Sequence, residues 1–164
     1  MEDRQYMEAA LELAKEAFAE GEVPVGCVIV RNGEIVGRGR NRRETAKTAL
    51  GHAEIEAIAD ACKNLGGWRL WECTLYVTLE PCPMCAGAII NARIPRVVYG
   101  AGDVKCGACG GVCSLFDMAF NHRPKVEKGI REAESSALLT EFFKNLRVEL
   151  RSRPKWKKKV DTEL

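Results

Sequence analysis

The sequence predicts an α/β fold in which a mixed β-sheet is covered by helices on both faces. The 164-residue chain has an ordinary composition for one globular domain, with 46% apolar and 29% charged residues. Strand-like apolar runs alternate with runs of helical periodicity, as in sheets that have crossover helices. The chain opens differently, because Asn32-Gly33 between two apolar runs is a strong signal for an antiparallel hairpin. A hairpin joined to crossover units gives a mixed sheet.

The first half of the chain supplies two helices around that hairpin. Apolar residues recur at helical spacing over 3–18, and Gly21 is a suitable stop. The two hairpin strands follow at 23–30 and 34–40. A second helical pattern begins at His52 and ends at two glycines. Its apolar face is expected to contain Ile55, Ile58, Ala59, Cys62 and Leu65.

The second half of the chain alternates strands and helices. Pro83 suits the first turn of a helix, because its missing N–H would have no partner there, and Pro95 follows the end of that helix. The predicted elements are a strand at 73–79, a helix at 83–92, a strand at 96–100, a loop rich in Gly and Cys at 101–113, a strand at 125–130 and a closing helix at 134–150. The closing helix is expected to turn five apolar residues inward, namely Leu138, Leu139, Phe142, Phe143 and Leu146.

Charge is unevenly distributed, although the formal net charge is only +2. Residues 147–164 hold seven Lys or Arg against three acidic residues. We expect one domain over residues 1–151 and a basic, flexible tail over 152–164. No apolar run approaches the roughly 20 residues of a membrane span, and the N-terminus has no signal-peptide pattern. These features predict a cytoplasmic protein whose eight cysteines stay reduced.

Two short motifs, HAE at 52–54 and PCPMC at 81–85, each run into a predicted helix. H-x-E followed by P-C-x-x-C is the signature of zinc-dependent nucleobase deaminases. Zn²⁺ binds thiolate and imidazole in tetrahedral geometry, and three protein ligands leave a fourth position for water. Both cysteines lie at a helix start, where free N–H groups favour the thiolate. We therefore predict a zinc site formed by His52, Cys82 and Cys85.

Glu54 is predicted to act on protons rather than on the metal. Two residues along a helix correspond to about 200° around its axis, so His52 and Glu54 can converge only in the first turn. A carboxylate there can accept a proton from water and deliver protons to a ring nitrogen and to leaving ammonia. Glu54 is the predicted catalytic residue.

Two other interpretations of these motifs remain open on the residues alone. A purely structural zinc site would need a fourth ligand, which Cys106, Cys109 or Cys113 could supply. A dithiol redox motif has the same cysteine spacing at a helix start, although it leaves the HAE motif unexplained. His122 is predicted to be a loop histidine rather than a ligand.

Longer stretches of the chain resemble one family. The segments EVPVGCVIV, GRGRN, HAEI, TLYVTLEPCPMCAGAIINARI, VVYGA, FNH and ALLTEFF are similar, in order, to the bacterial tRNA adenosine deaminases of the cytidine deaminase-like superfamily. The resemblance covers roughly residues 3–147. It implies a three-layer α/β/α fold with a central five-stranded mixed sheet. It also implies a homodimeric hydrolase that converts adenosine to inosine at the wobble position of a tRNA anticodon.

The resemblance also implies residue roles. It places one Zn²⁺ per subunit on His52, Cys82 and Cys85, with Glu54 moving protons. An asparagine of the family hydrogen-bonds the flipped base, and an amide suits this role because it both donates and accepts. The expected substrate-binding residues are Asn41, Val23, Pro24, Asp103 and Lys105. The expected partner is the anticodon stem-loop of a tRNA, specifically an arginine tRNA.

The loop after the fourth strand departs from the family. Cys106, Cys109 and Cys113 stand where the family has small residues, which allows either a second metal site or ordinary loop packing. The three remaining cysteines are predicted to pack in the core, namely Cys27, Cys62 and Cys73.

Three functions fit these motifs. The first is a tRNA-directed adenosine deaminase, the second a free-base or nucleoside deaminase of the guanine or cytosine type, and the third a zinc module that binds nucleic acid without catalysis. Arginines at 38, 40, 42 and 43 and the basic tail favour an RNA substrate, because a free-base enzyme needs no basic surface. Glu54 and the missing fourth ligand argue against the third function.

Overall fold

The computed structural model describes residues 2–153, which form three layers. The helices are α1 Asp3–Ala19, α2 Ala53–Leu65, α3 Pro83–Ala92 and α4 Glu132–Ser152. The strands are β1 Gly26–Arg31, β2 Glu34–Arg40, β3 Cys73–Leu79, β4 Arg96–Ala101 and β5 Lys125–Lys128. One 3-10 turn, Leu115–Asp117, lies between β4 and β5. The strands form a single sheet in the order β2-β1-β3-β4-β5.

The sheet is mixed, as the sequence predicts. β1 is antiparallel to β2 and to β3, whereas β3, β4 and β5 run parallel to one another. The hairpin turn lies at Asn32 and Gly33, whose φ angles are 50° and 78°. A turn of type I′ requires positive φ at both positions, which Asn and Gly tolerate best. Because β3 and β4 are parallel, both end at the same edge of the sheet.

Each face of the sheet packs against its own pair of helices. On one face, α2 and α3 cover side chains that include Cys27, Ile29, Leu75, Val77 and Val97. On the other face, α1 and the first half of α4 cover side chains that include Val28, Val30, Tyr76 and Val98. Neighbouring residues of a strand point to opposite faces, so one sheet serves two cores. The result is the three-layer α/β/α fold expected from the resemblance.

Glycines in β2 set the position of α2. A Cβ atom at Gly39 would lie 2.1 Å from the carbonyl oxygen of Ala53, and one at Gly37 would lie 2.4 Å from that of Ala57. The fully buried stripe of α2 accordingly consists of alanines, including Ala61. The apolar face proposed from the sequence lies to the side of this stripe and is partly buried or exposed: Ile55, Ile58, Ala59, Cys62 and Leu65.

The closing helix α4 lies nearer the surface than the sequence predicts. Ser135 is its one buried residue in the described chain, and a Cβ atom at Gly100 of β4 would lie 2.5 Å from the Ser135 hydroxyl oxygen. Phe143 is 40% exposed, so its predicted burial is wrong. The other four predicted inward residues are half-buried: Leu138, Leu139, Phe142 and Leu146. α4 borders an open cleft, which Leu139, Phe143 and Arg147 line.

α4 continues to Ser152, and the division into a domain over 1–151 and a tail over 152–164 stays a prediction. Residues 154–164, which contain most of the predicted basic tail, lie outside the described residues. Within residues 2–153, no helix has the length and apolar character needed to cross a membrane.

Candidate active site

Two helix starts meet at the edge of the sheet where β3 and β4 end. His52 is the N-cap of α2, and Cys82 is the N-cap of α3 with Cys85 in the first turn. Pro83 occupies the start of α3, as predicted. Both caps have extended backbone, with ψ values of 149° for His52 and 172° for Cys82. The two motifs are distant in sequence and become adjacent because α2 and α3 pack side by side on one face.

The three predicted metal ligands come together with suitable geometry. The Nδ1 atom of His52 lies 3.6 Å from Sγ of Cys82 and 3.5 Å from Sγ of Cys85. Ligands at about 2.0 Å (nitrogen) and about 2.3 Å (sulfur) from a tetrahedral Zn²⁺ are about 3.5 Å apart. All three ligand atoms lie within 4.8 Å of one another. The donor set and its spacing therefore fit a zinc ion.

The two ligand thiols affect each other's protonation. The pKa of Cys82 is held well below its usual range, first because the Cys85 thiol donates a hydrogen bond to it and also because His52 lies beside it. Burial acts in the opposite direction and raises this pKa. The pKa of Cys85 is raised, because it is the donor of that hydrogen bond and is buried. The lowered pKa of Cys82 favours its thiolate, and a metal-bound Cys85 would have to lose its thiol proton. Metal binding releases such protons.

Glu54 lies in the first turn of α2 and is buried, with 4% of its surface exposed. Burial raises the pKa of its carboxyl group, because removal from water disfavours the charged form, and a hydrogen bond from Cys85 partly opposes this shift. A carboxylate with raised pKa can hold and release a proton near neutral pH. Glu54 is not a member of the three-ligand group in the described residues.

These residues border an open cleft of 690 Å³. Seven of the nine predicted site residues line it: Val23, Asn41, His52, Glu54, Cys82, Asp103 and Lys105. Cys85 lies fully buried below the cleft. Pro24 is buried and is not among the residues that line the cleft.

Asn41 is held by the backbone around it. Its Nδ2 donates to the carbonyl of Val23 at 3.2 Å, and its Oδ1 accepts from the N–H of Arg43 at 3.0 Å. A side-chain amide has two N–H donors and two lone pairs on its oxygen. One of each therefore remains for a ligand in the cleft.

Sequence reasoning missed one wall of the cleft. Leu139, Phe143 and Arg147 of α4 line it, and they recur at intervals of four residues. This spacing was visible in the sequence, but apolar residues at helical spacing are typical of a core face. Arg43 and Glu80 also line the cleft and were not singled out as site residues.

The arginine cluster before the HAE motif is partly neutralised. Arg40 forms ion pairs with Glu16 at 3.3 Å and Glu20 at 2.8 Å. Arg42 pairs with Glu56 at 3.2 Å. Arg43 is the member of the cluster that lines the cleft. The Lys and Arg residues that line the cleft are thus Arg43, which also pairs with Glu44 at 3.8 Å, together with Lys105 and Arg147.

The remaining cysteines and His122 take structural positions. Cys106 and Cys113 are exposed and Cys109 is half-buried, and they form no group of three metal-ligating residues within 2–153. Among the described residues, His52, Cys82 and Cys85 are the group of His, Cys, Asp or Glu side chains close enough together to hold a metal. Cys27 and Cys73 are buried in the core, as predicted. His122 donates from Nε2 to the carbonyl of Ile94 at 2.7 Å, which confirms it as a loop histidine.

A His/Cys/Cys triad that could hold a metal at two helix starts, a buried carboxylate and an open cleft on an α/β/α sheet are the features of a hydrolytic deaminase. Residues 1–147 match the family model of the MafB19-like deaminases. The tRNA-specific adenosine deaminase of Bacillus subtilis (strain 168) is 49% identical over 147 residues, covering 89% of this chain and 91% of that protein. The chain belongs to the tRNA-specific adenosine deaminase family.

Solved structures agree with this assignment. A structure from work on A-to-I editing by tRNA:A34 deaminases at the wobble position superposes with a TM-score of 0.79 at 45% identity, covering 82% of this chain and 99% of that one. A guanine deaminase from Bacillus subtilis has a TM-score of 0.61 at 35% identity, covering 86% of this chain and 94% of that one. The fold thus serves both RNA and free-base substrates, and the chain is more similar to the RNA-directed branch.

Proposed function

We propose that this protein deaminates adenosine to inosine at the wobble position of a tRNA anticodon, with one Zn²⁺ held by His52, Cys82 and Cys85. The observation that carries the proposal is the meeting of those three ligand atoms with a buried Glu54 at the wall of a cleft. In the reaction, water replaces the exocyclic amine of adenine, and ammonia leaves. Bound Zn²⁺ would lower the pKa of water toward about 7 and act as a Lewis acid.

The protein's own part in proton transfer falls to Glu54. Its carboxylate takes a proton from the attacking water and gives it to the ring nitrogen. It then takes the second proton from the newly added hydroxyl group and gives it to the amine, which leaves as ammonia. Burial supports this cycle, because it raises the pKa of the carboxyl group and so makes the protonated form accessible. The surrounding backbone keeps the side chain in the first turn of α2, directed into the cleft.

Asn41 is proposed to recognise the edge of the flipped base. Its remaining N–H and lone pair can meet an acceptor and a donor on adenine at once. Val23, Val25 and Leu79 supply apolar surface for the faces of the ring. A base in a folded RNA must leave its stack to enter such a cleft. The free-energy cost of unstacking is low in an anticodon loop, because its bases are unpaired.

Charge at the cleft mouth supports an RNA substrate. Arg43, Lys105 and Arg147 line the opening, where the phosphates on either side of a flipped nucleotide would pass. Neutralising phosphates contributes affinity through counterion release. A free base has no phosphates, so a guanine or cytosine deaminase would gain nothing from these cations. The similarity to a guanine deaminase keeps free-base deamination as the second candidate.

The test compares RNA with free bases. The purified protein is incubated with a transcribed arginine tRNA that has an ACG anticodon, and inosine is read by sequencing. A matched transcript with a GCG anticodon is the control, since it lacks the wobble adenosine. Guanine, cytosine and adenosine are assayed in parallel by ammonia release. Conversion confined to the ACG transcript is expected, and turnover of a free base without tRNA editing would refute the proposal.

The working protein is proposed to be a cytoplasmic homodimer. Residues 112–120, part of which packs against α3, expose Val112, Met118 and Phe120. Exposed apolar groups of this size favour a protein interface, and a second copy is the partner that the family implies. All eight cysteines are free, which suits a reducing compartment. Sedimentation should give about twice the 18.1 kDa chain mass, and Met118→Asp/Phe120→Asp should shift it toward one chain.

A further inference from the structure

A buried carboxylate at one wall of the cleft has no part in the chemistry proposed above. Glu80 directly follows β3, and 4% of its surface is exposed. Its Oε1 accepts from the N–H of Asp103 at 3.1 Å. Its Oε2 accepts from the N–H groups of Cys109 at 3.0 Å and Gly111 at 2.9 Å. One side chain thus fixes three points of the loop that follows β4.

The loop is built to receive this carboxylate at close range. A Cβ atom at Gly107 would lie 2.0 Å from Oε2 of Glu80, and one at Gly111 would lie 2.9 Å from the same atom. Backbone bonds close the ring around it, because Glu80 N–H donates to Ala101 and Ala108 N–H donates to the carbonyl of Pro81, both at 2.8 Å. Glycine is needed where the backbone wraps around Oε2.

The part of the loop that Glu80 holds in place, residues 102–106, forms a wall of the cleft. Inside that segment, the Oδ1 atom of Asp103 accepts from the N–H groups of Lys105 and Cys106 at 3.0 and 3.1 Å, which folds the segment into a tight turn. Glu80 fixes the N–H group of Asp103, and the side chain of Asp103 fixes the N–H group of Lys105. The position of Lys105 therefore depends on Glu80 through Asp103.

We propose that Glu80 is a positioning residue that holds this wall at the distance at which Lys105 meets the backbone phosphate beside the flipped nucleotide. Glu80 acts through the loop and not through the metal, because its carboxylate oxygens accept hydrogen bonds from three backbone N–H groups. The inference rests on the proposed RNA substrate. A misplacement of about 1 Å in a substrate-positioning group can cost about 100-fold in rate.

A carboxylate is required by the donor pattern. Ionised Glu accepts at both oxygens, and all three loop partners are N–H donors. Gln has the same shape, but in either orientation its NH₂ group faces an N–H donor, so at least one bond is replaced by a repulsive contact. Glu80→Gln therefore changes the anchoring of the loop and leaves the volume of the side chain unchanged.

The experiment measures kcat and KM separately for tRNA deamination by wild type and Glu80→Gln, together with zinc per chain. Asp3→Asn is the matched control, because it also removes a carboxylate that accepts hydrogen bonds, from Arg96 and Tyr76, at a site that does not line the cleft. A second pair compares Gly107→Ala with Gly67→Ala, since a Cβ atom at Gly67 meets nothing within 4 Å.

The expected result is a rise in KM of at least about tenfold in Glu80→Gln and in Gly107→Ala, because each loses or distorts charge-assisted hydrogen bonds that hold the loop. Zinc content should stay at the wild-type level, and both controls should keep the wild-type KM. A lowered melting temperature with unchanged KM would make Glu80 merely structural and overturn the proposal. Loss of zinc from Glu80→Gln would overturn it too. Wild type failing to edit tRNA would instead refute the RNA substrate itself.

Discussion

Nδ1 of His52 lies 3.5 Å from Sγ of Cys85, although the two residues belong to different helices. That distance matches an edge of a tetrahedral zinc site. The contact depends on the close approach of α2 to the sheet and on the shared edge at which both helices begin. The site is therefore a product of backbone packing as much as of its ligands.

We expect about one zinc per chain in the purified protein and almost none in Cys82→Ala/Cys85→Ala. Two of the three ligand atoms disappear in this variant, and a lone histidine binds Zn²⁺ weakly. Cys106→Ser/Cys113→Ser is the matched control, because it removes two exposed cysteines outside the ligand group. Elemental analysis decides the matter: zinc kept by the first variant, or lost by the control, contradicts the assignment.

Glu54→Gln should retain zinc and fold but lose at least about 100-fold in kcat, since positioned acid–base groups contribute roughly 10²–10⁴-fold. Glu56→Gln is the control on the same first turn, where the carboxylate pairs with Arg42 and does not line the cleft. Single-turnover deamination and metal content are measured together. Zinc falling in step with activity would show that Glu54 is a ligand, and near-normal turnover would remove its catalytic role.

Arg147→Ala should weaken tRNA binding and leave the rate at saturating tRNA close to wild type. If Arg147 neutralises one phosphate, the slope of log K against log salt should become shallower by about 0.7–0.9. Lys63→Ala serves as the control, because this exposed cation lies in the last turn of α2, away from the cleft. Binding titrations at several salt concentrations give the slopes. Identical slopes for wild type and Arg147→Ala would mean that the cleft mouth does not contact phosphate.

Gly39→Ala should lower the free energy of unfolding by about 1–3 kcal/mol. The same substitution should also weaken zinc binding. The added methyl group would lie 2.1 Å from the carbonyl oxygen of Ala53, so α2 must move, and this helix carries His52 at its start. Gly67→Ala meets open space and should be nearly neutral. Urea unfolding and zinc titration with a competing chelator are the measurements. A stable Gly39→Ala variant with normal zinc affinity would show that α2 is not fixed by this contact.

Much of the architecture was determined by local sequence. Asn32-Gly33 specified the hairpin because positive φ is available to both residues, and Pro83 marked the start of α3 because proline lacks the N–H that a first turn does not need. The alternation of apolar runs gave five strands in a mixed sheet. The HAE and PCPMC motifs pointed to His52, Cys82 and Cys85 as candidate ligands, and the structure brings these three side chains together.

Tertiary structure alone decided which surfaces face one another. Leu139, Phe143 and Arg147 look in sequence like part of an amphipathic core helix, yet in the folded protein they line the cleft. Glu80 looks like a polar residue at a strand end, and only the folded loop shows that it binds the N–H groups of Asp103, Cys109 and Gly111. Periodicity records which residues share a face of their own element. What lies opposite that face depends on long-range packing, which local sequence does not encode.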